Sequence, residues 1–266
     1  MNQAAPHRVA SCVDTIDHGG IVELRLARAP VNALDPALCN GLRAALDDAI
    51  ASGAQGVVLS GGPKVFSAGL DVPYLLSLGD DRHALMAAWE AFFDAAMALA
   101  AAPVPVVAAI GGHAPAGGCV LALCCDYRVM ARSDEPERPF RIGLNETQVG
   151  LVAPEGIQRL LRRVVGPYRA ERLLVAGEML DSGQALHVGL VDEQVALDEV
   201  GARAREWLAQ LLALPRAAML RTRAIARAEV IEALQPQHIQ LDRFIEAWYA
   251  ADTQDALRAM MAKLGK

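Results

Sequence analysis

Apolar positions along this chain change their period several times, and each change marks a different element. Ile21-Val22-Glu23-Leu24-Arg25-Leu26 alternates apolar and polar residues, the two-residue period of a half-buried strand. Leu38, Leu42, Leu46 and Ile50 then recur at four-residue steps behind Asp35, a capping residue, and Pro36, suited to the first helical position. That spacing predicts a helix with one apolar stripe. Gly56-Val57-Val58-Leu59-Ser60 and Pro105-Val106-Val107-Ala108-Ala109-Ile110 drop the alternation and run apolar, as strands covered on both faces do. Between them, His83 to Ala102 is apolar around most of a helical surface, which predicts a deeply buried helix stopped by Pro103. A short apolar helix to about Cys125 and a strand over Asp126 to Ala131 continue the series.

Strand, loop and helix in repetition predict an α/β domain with parallel strands. Ligands of such sheets bind in loops beyond the carboxyl ends of the strands. Two glycine-bearing loops stand there, after Ser60 and after Ile110. Arg132 to Arg141 is polar and carries prolines, so it reads as an exposed loop. Beyond Pro154 the pattern is mostly helical: short helices over Pro154–Val165, Pro167–Ala176 and Asp181–His187, then a strand at Leu190–Asp192. Three longer helical patterns begin near Leu197, Pro215 and Pro236. The last carries Leu241, Phe244, Ile245 and Trp248, then Leu257, Met260, Met261 and Leu264, a face able to close its own core or dock on a neighbouring subunit. The expected division is a core over 1–196 that holds the site and a helical region over 197–266.

Composition narrows the function. A chain of 266 residues, 53% of them hydrophobic, can bury a large core, and a net charge of −6 lacks the excess positive charge of a general nucleic-acid binder. Cys12, Cys39, Cys119, Cys124 and Cys125 form no C-x-x-C pair, so buried reduced thiols are expected rather than a disulfide scaffold. No histidine pair has H-E-x-x-H spacing, and no metal is expected. Met1 to Ala10 lacks the apolar core of a signal peptide. The longest apolar run, Ala95 to Ile110, is broken by Pro103 and Pro105 short of the roughly 18 to 20 residues a bilayer requires. The expectation is a cytoplasmic protein with neither membrane nor nucleic acid as partner.

The candidate chemistry lies in two segments. Ile142-Gly143-Leu144-Asn145-Glu146-Thr147-Gln148 places a single carboxylate in an uncharged stretch. The turn Pro115-Ala116-Gly117-Gly118-Cys119-Val120 offers backbone N–H groups but no second acid. One base beside an anion-stabilising turn suits proton movement on an activated carbonyl compound better than addition of water, which is usually served by two acid/base groups. Glu155, just past Pro154, is either an acid favoured by the start of a helix or a second acid near the pocket.

Phe66-Ser67-Ala68-Gly69-Leu70-Asp71 resembles the first signature of the enoyl-CoA hydratase/isomerase (crotonase) superfamily, and Ala114 to Asp126 resembles its second. The likeness runs from about Ile21 to Met261. Within the superfamily the run from Pro115 to Arg128, and Ile142 to Gln148 continued as Gly150-Leu151-Val152-Ala153-Pro154, are similar to the mitochondrial-type Δ3,Δ2-enoyl-CoA isomerases. Hydratases of the superfamily normally carry a glutamate where this chain has Val120, and their other glutamate falls at Glu146. The Arg132–Arg141 loop is a few residues longer than in the isomerase pattern.

The resemblance implies an α/β fold: a crotonase-type ββα spiral core with a C-terminal helical region, assembled as a homotrimer or a dimer of trimers. It implies an acyl-CoA thioester as substrate, with no cofactor beyond the coenzyme A that substrate carries. The implied reaction moves the double bond of a 3-enoyl-CoA to trans-2-enoyl-CoA in fatty-acid β-oxidation. Glu146 would be the base, and the backbone N–H groups of Ala68 and Gly117 would hold the thioester oxygen. Ser67, Ala68, Gly69, Leu70, Asp71, Gly117 and Asn145 would bind substrate, Asn145 being either a turn residue or one that orients Glu146 or the thioester. Leu144, Val149, Leu151, Val152 and Val120 would surround Glu146 and raise its pKa. The His83–Ala102 helix and the terminal helices would line the far end of the pocket. Arg28 is a candidate for a CoA phosphate or a solvated strand-end residue, Asp71 can instead hold its loop, and Asp126 and Arg128 are expected as a structural pair.

Overall fold

The structure, a computed structural model, describes residues 12–263. The expectations placed on Met1 to Ala10 and on Leu264 lie outside that range. β1 (Val13–Asp17) and β2 (Ile21–Leu26) form an antiparallel hairpin. α1 (Pro36–Ala51) follows; the Asp35 carboxylate accepts the Leu38 N–H, and Leu38, Leu42 and Leu46 are buried as the stripe requires. Next come β3 (Gly56–Ser60), α2 (Val72–Ser77), α3 (Arg82–Ala101) and β4 (Val106–Ile110). β5 (Ala114–Pro115) leads straight into α4 (Gly117–Leu123). β6 (Tyr127–Ala131), β7 (Arg141–Gly143) and a one-turn 3-10 helix, Glu146–Val149, precede α5 (Glu155–Val165) and α6 (Pro167–Ala176). β8 (Leu180–Asp181), α7 (Ser182–Val188) and β9 (Glu193–Val195) complete the strands. The chain then runs helical through α8 (Val200–Leu212), α9 (Arg216–Ala226), α10 (Ala228–Ala233), α11 (Pro236–Ile239), α12 (Leu241–Trp248) and α13 (Ala251–Lys263).

The strands build two sheets. The larger has the order β1-β2-β3-β4-β6-β9 and is parallel from β2 onward; the smaller has the order β5-β7-β8. The chain visits them in rotation. A strand of the large sheet is followed by a short one in the small sheet, then by a helix: β4, β5 and α4, then β6, β7 and the turn leading to α5. A bridge between Val65 and His113 adds the same step after β3. The uninterrupted apolar runs in β3 and β4 are explained by complete burial of both faces. α3 is long and apolar enough by composition to cross a membrane. In this fold Leu85, Ala88, Trp89, Phe92, Ala96 and Leu99 bury it instead.

Several expectations shift. The strand placed at Leu190–Asp192 forms three residues later, because the N–H groups of Leu190 and Val191 turn back to the Ala185 carbonyl at the end of α7. The helical patterns from Pro215 and Pro236 are broken into shorter helices. Arg227 interrupts the first: it turns inward, buried, and donates to the Cys124 and Cys125 carbonyls that end α4. Such a cation complements the negative end of a helix. Asp126 and Arg128 do not pair with each other. Asp126 takes Arg223 at 2.7 and 2.8 Å, pairs with Arg227 and accepts the Val106 N–H, whereas Arg128 pairs with Asp192. α8 packs across β3, β4 and β6, so residues beyond 196 cover the large sheet. Cys39, Cys119, Cys124 and Cys125 are buried, and burial pushes the Cys39 and Cys124 thiols up to about 12.

Candidate active site

The two glycine loops and the Glu146 turn meet at one cavity of about 550 Å³. Ala68, Leu70 and Asp71 from the first loop line it, with Gly117 and Val120 from α4 and Asn145 and Glu146 from the 3-10 turn. Much of the remaining wall is apolar. Trp89 and Phe92 come from α3, Phe244 and Trp248 from α12, and Met260 and Met261 from α13. Trp89 and Phe244 pack edge to face with ring centroids 4.4 Å apart.

Main-chain hydrogen bonds decide which N–H groups are free to meet a ligand. The N–H of Ala68 is already given to the Val31 carbonyl at 2.9 Å. Gly69 donates to Ser67 Oγ and Asp71 to the Leu34 carbonyl. The N–H of Leu70 finds no acceptor among the described residues, and neither does that of Gly117, the first residue of α4. Of the cavity-lining residues in the two glycine segments, Leu70 and Gly117 are therefore the pair whose N–H is left open. Ala68, expected as a donor, is corrected because its N–H belongs to the loop. Gly69 brings the pair together: its φ is +81°, and a Cβ there would stand 3.2 Å from the Gly117 nitrogen. A Cβ on Gly117 would sit 2.9 Å from Leu70 Cδ2 and 3.0 Å from Leu34 Cδ1, so packing as well as access favours glycine there.

Ser67 and Gly69 do not line the cavity. The Ser67 hydroxyl, fully buried, donates to the Asn32 carbonyl and accepts from Gly69, which braces the loop from behind. Asp71 lines the cavity but is occupied: it caps α2 through the Tyr74 N–H and pairs with Arg28 at 2.8 Å. Arg28 also pairs with Asp35 at 3.0 Å and donates to the Ala33 carbonyl. Its charge is thus matched by two carboxylates within the protein.

Opposite chemistry surrounds Glu146. Its Oε2 is closed to solvent and has no hydrogen-bond partner, and the neighbouring Asn145 Oδ1 shares that state. Burial pushes the Glu146 carboxyl up to about 7, partly offset by its own backbone N–H. Val120, Val149 and Leu151 line the same cavity. Val152 does not; it is 65% exposed. Leu144 is buried outside the lining. Glu155 stays out of the cavity, exposed and bound to Arg159 at 2.7 Å in the first turn of α5. Val120 is fully buried, so no acid occupies that position. Among the described residues no cluster of three or more His, Cys, Asp or Glu side chains could hold a metal ion.

Two features were not visible in the sequence. The open N–H of Leu70 depends on which neighbour Val31 captures, and spacing carries no trace of that. Ile157 of α5 also joins the wall; its helix was legible, its neighbour across space was not.

A carboxyl that titrates near neutrality, in an apolar cavity that also presents two unused N–H groups, is the equipment of an enzyme that moves protons on a carbonyl compound. Comparison with known proteins agrees with that class. The enoyl-CoA hydratase/isomerase family profile matches residues 17–263, and the chain belongs to this family. It is 33% identical over 248 residues to human mitochondrial enoyl-CoA delta isomerase 1, covering 92% of this chain and 80% of that protein. The mouse enzyme of the same name is 36% identical over 209 residues, 76% of this chain and 69% of its own. A probable enoyl-CoA hydratase of Mycolicibacterium paratuberculosis is 34% identical over 230 residues, 84% of this chain and 86% of its own. The crystal structure of human mitochondrial delta3-delta2-enoyl-CoA isomerase superposes with a TM-score of 0.87 at 32% identity, covering 96% of this chain and 98% of that one. The fold is the crotonase-type spiral with C-terminal helices.

Proposed function

We propose that this protein is a Δ3,Δ2-enoyl-CoA isomerase acting on acyl-CoA thioesters. The observation that carries the reading is the unpaired carboxyl of Glu146, raised to about 7, in a cavity where Val120 fills the other candidate acid position and the second lining carboxylate, Asp71, is taken up by Arg28. Glu146 removes a proton from C2 of the 3-enoyl-CoA. The electron pair spreads over a dienolate, whose oxygen is held by the N–H groups of Leu70 and Gly117. One such donor is worth roughly 3 to 4 kcal/mol. The neutral Glu146 carboxyl then returns the proton at C4, and the double bond lies between C2 and C3. A carboxyl that titrates near neutrality serves both halves, as base and then as acid. No cofactor takes part beyond the coenzyme A of the substrate. The apolar wall from α3, α12 and α13 suits the acyl chain.

A second reading, hydration of a 2-enoyl-CoA, draws on one observation. Asn145 Oδ1 and Glu146 Oε2 are both buried acceptors without donors, on residues that line the cavity a water would have to enter. The absence of an acid at Val120 stands against it.

The test is isomerisation of trans-3-hexenoyl-CoA by purified protein and by Glu146→Gln. The expected result is turnover to the trans-2 isomer that the substitution removes while acyl-CoA binding persists. Binding without turnover by the unsubstituted protein, or full activity in Glu146→Gln, overturns the proposal.

A further inference from the structure

The turn that carries Glu146 is gripped from two sides by residues far away in sequence. On one side stands α6: Thr147 Oγ1 donates to the Leu174 carbonyl at 3.3 Å, and Gln148 Nε2 to the Gly177 carbonyl at 2.8 Å. On the other stands α13: Thr253 Oγ1 donates to the Gly150 carbonyl at 2.8 Å. Gly150 closes the Glu146 turn with φ +75°, and a Cβ there would lie 3.1 Å from Thr253 Cα. Helix and turn therefore meet almost backbone to backbone.

Thr253 is the third residue of α13, inside the helix and past its cap. Here it donates outward to the Glu146 turn, from a side chain only 2% exposed. Leu257, Met260 and Met261 follow at steps that place them on the same face of α13. Leu257 is fully buried, and the two methionines line the cavity that Glu146 lines. One helix thus holds both the wall of the cavity and the end of the turn. Glu146 Oε2 itself has no partner. Its placement depends on where the turn is held.

Resting on the reading of Glu146 as the base, we propose that Thr253 is a positioning residue, whose hydrogen bond to Gly150 fixes the turn and so sets the Glu146 carboxyl over the reacting carbons. Misplacement by about 1 Å can cost on the order of 10²-fold in rate. One lost tether on a turn held from two sides should cost less than that.

The experiment compares Thr253→Val, which removes the donor and keeps the shape, with Thr253→Ser, which keeps the donor. Expected for Thr253→Val is a kcat on trans-3-hexenoyl-CoA lowered about 10-fold with KM within about 2-fold, the split that marks loss of an effect confined to the transition state. Thr253→Ser should restore kcat. If Val packs badly, Thr253→Ala carries the same test. A readout without turnover accompanies it: the carboxyl titration of Glu146 followed by 13C NMR, assigned with Glu146→Gln. In Thr253→Val its midpoint should fall toward the ordinary carboxylate range as the loosened turn admits water. Unchanged kcat and unchanged titration, equal losses in the Val and Ser variants, or a lower melting temperature alone would overturn the proposal. If the unsubstituted protein fails to isomerise while the titration still moves, the isomerase reading fails and the positioning role stands.

Discussion

The two sides of the cavity are built from different materials. The side proposed to hold the oxyanion is main chain: the N–H groups of Leu70 and Gly117, brought together by a loop that Ser67 and Asn32 brace through hydrogen bonds to the backbone. The side proposed to supply the base is a single carboxyl on a single turn, tethered by Thr147, Gln148 and Thr253 to helices on either hand. A backbone donor survives substitution of its own side chain and is lost only when the chain is displaced. A carboxylate is lost by exchange of one atom. Perturbations of the two sides should therefore differ in size and kind.

The largest effect is expected on the base side. Glu146→Gln should lower kcat for 3-enoyl-CoA isomerisation by about 10³-fold, measured in the steady state, with acyl-CoA affinity nearly kept. On the oxyanion side, Gly117→Ala should cost about 10²-fold, because the new Cβ presses on Leu70 and Leu34 and moves the very N–H that would meet the thioester. Leu70→Ala, by contrast, leaves its N–H in place, and its kcat should stay within about 10-fold of the unsubstituted protein. A larger fall in Leu70→Ala than in Gly117→Ala would break the comparison.

pH sharpens it further. In its proposed role as base, Glu146 must be ionised, so kcat/KM should rise with pH to a plateau, with a midpoint at about 7. The same group affects stability. Its folded pKa, about 7, lies above the ordinary 4.5, so the fold favours the neutral carboxyl. That contribution is fully present below the unfolded pKa and is lost as pH rises through the folded one. Glu146→Gln should accordingly match the unsubstituted protein in acid and become the more stable of the two towards pH 8. The gain is at most about 3 kcal/mol, read from denaturant melts across that range. Equal stability at pH 8 would mean that the carboxyl is not held in an apolar setting.

The sequence exposed the two sides unequally. α1 and β3 could be read because Asp35, Pro36 and the four-residue leucine step, or the run Val57-Val58-Leu59, act within a few neighbours. The glycine loops and Glu146 were legible through their signatures. What escaped was settled across space. Val31 takes the N–H of Ala68 and leaves that of Leu70 open. Arg227 leaves its helical pattern to reach carbonyls more than a hundred residues away. Arg28, a plausible phosphate ligand by position, has its charge matched by Asp35 and Asp71. None of these choices follows from local propensity, since each depends on which partner the fold brings within hydrogen-bond reach.

The proposed role of Glu146 is that of a lone acid/base, in one cavity with the backbone donors of Leu70 and Gly117 and with Val120 where a second acid would stand. Its most direct test gives the same purified protein trans-3-hexenoyl-CoA and crotonyl-CoA in parallel and compares kcat/KM for isomerisation with that for hydration. Isomerisation should dominate, and hydration should be slow. Rapid hydration of crotonyl-CoA with negligible movement of the 3-enoyl double bond would contradict it.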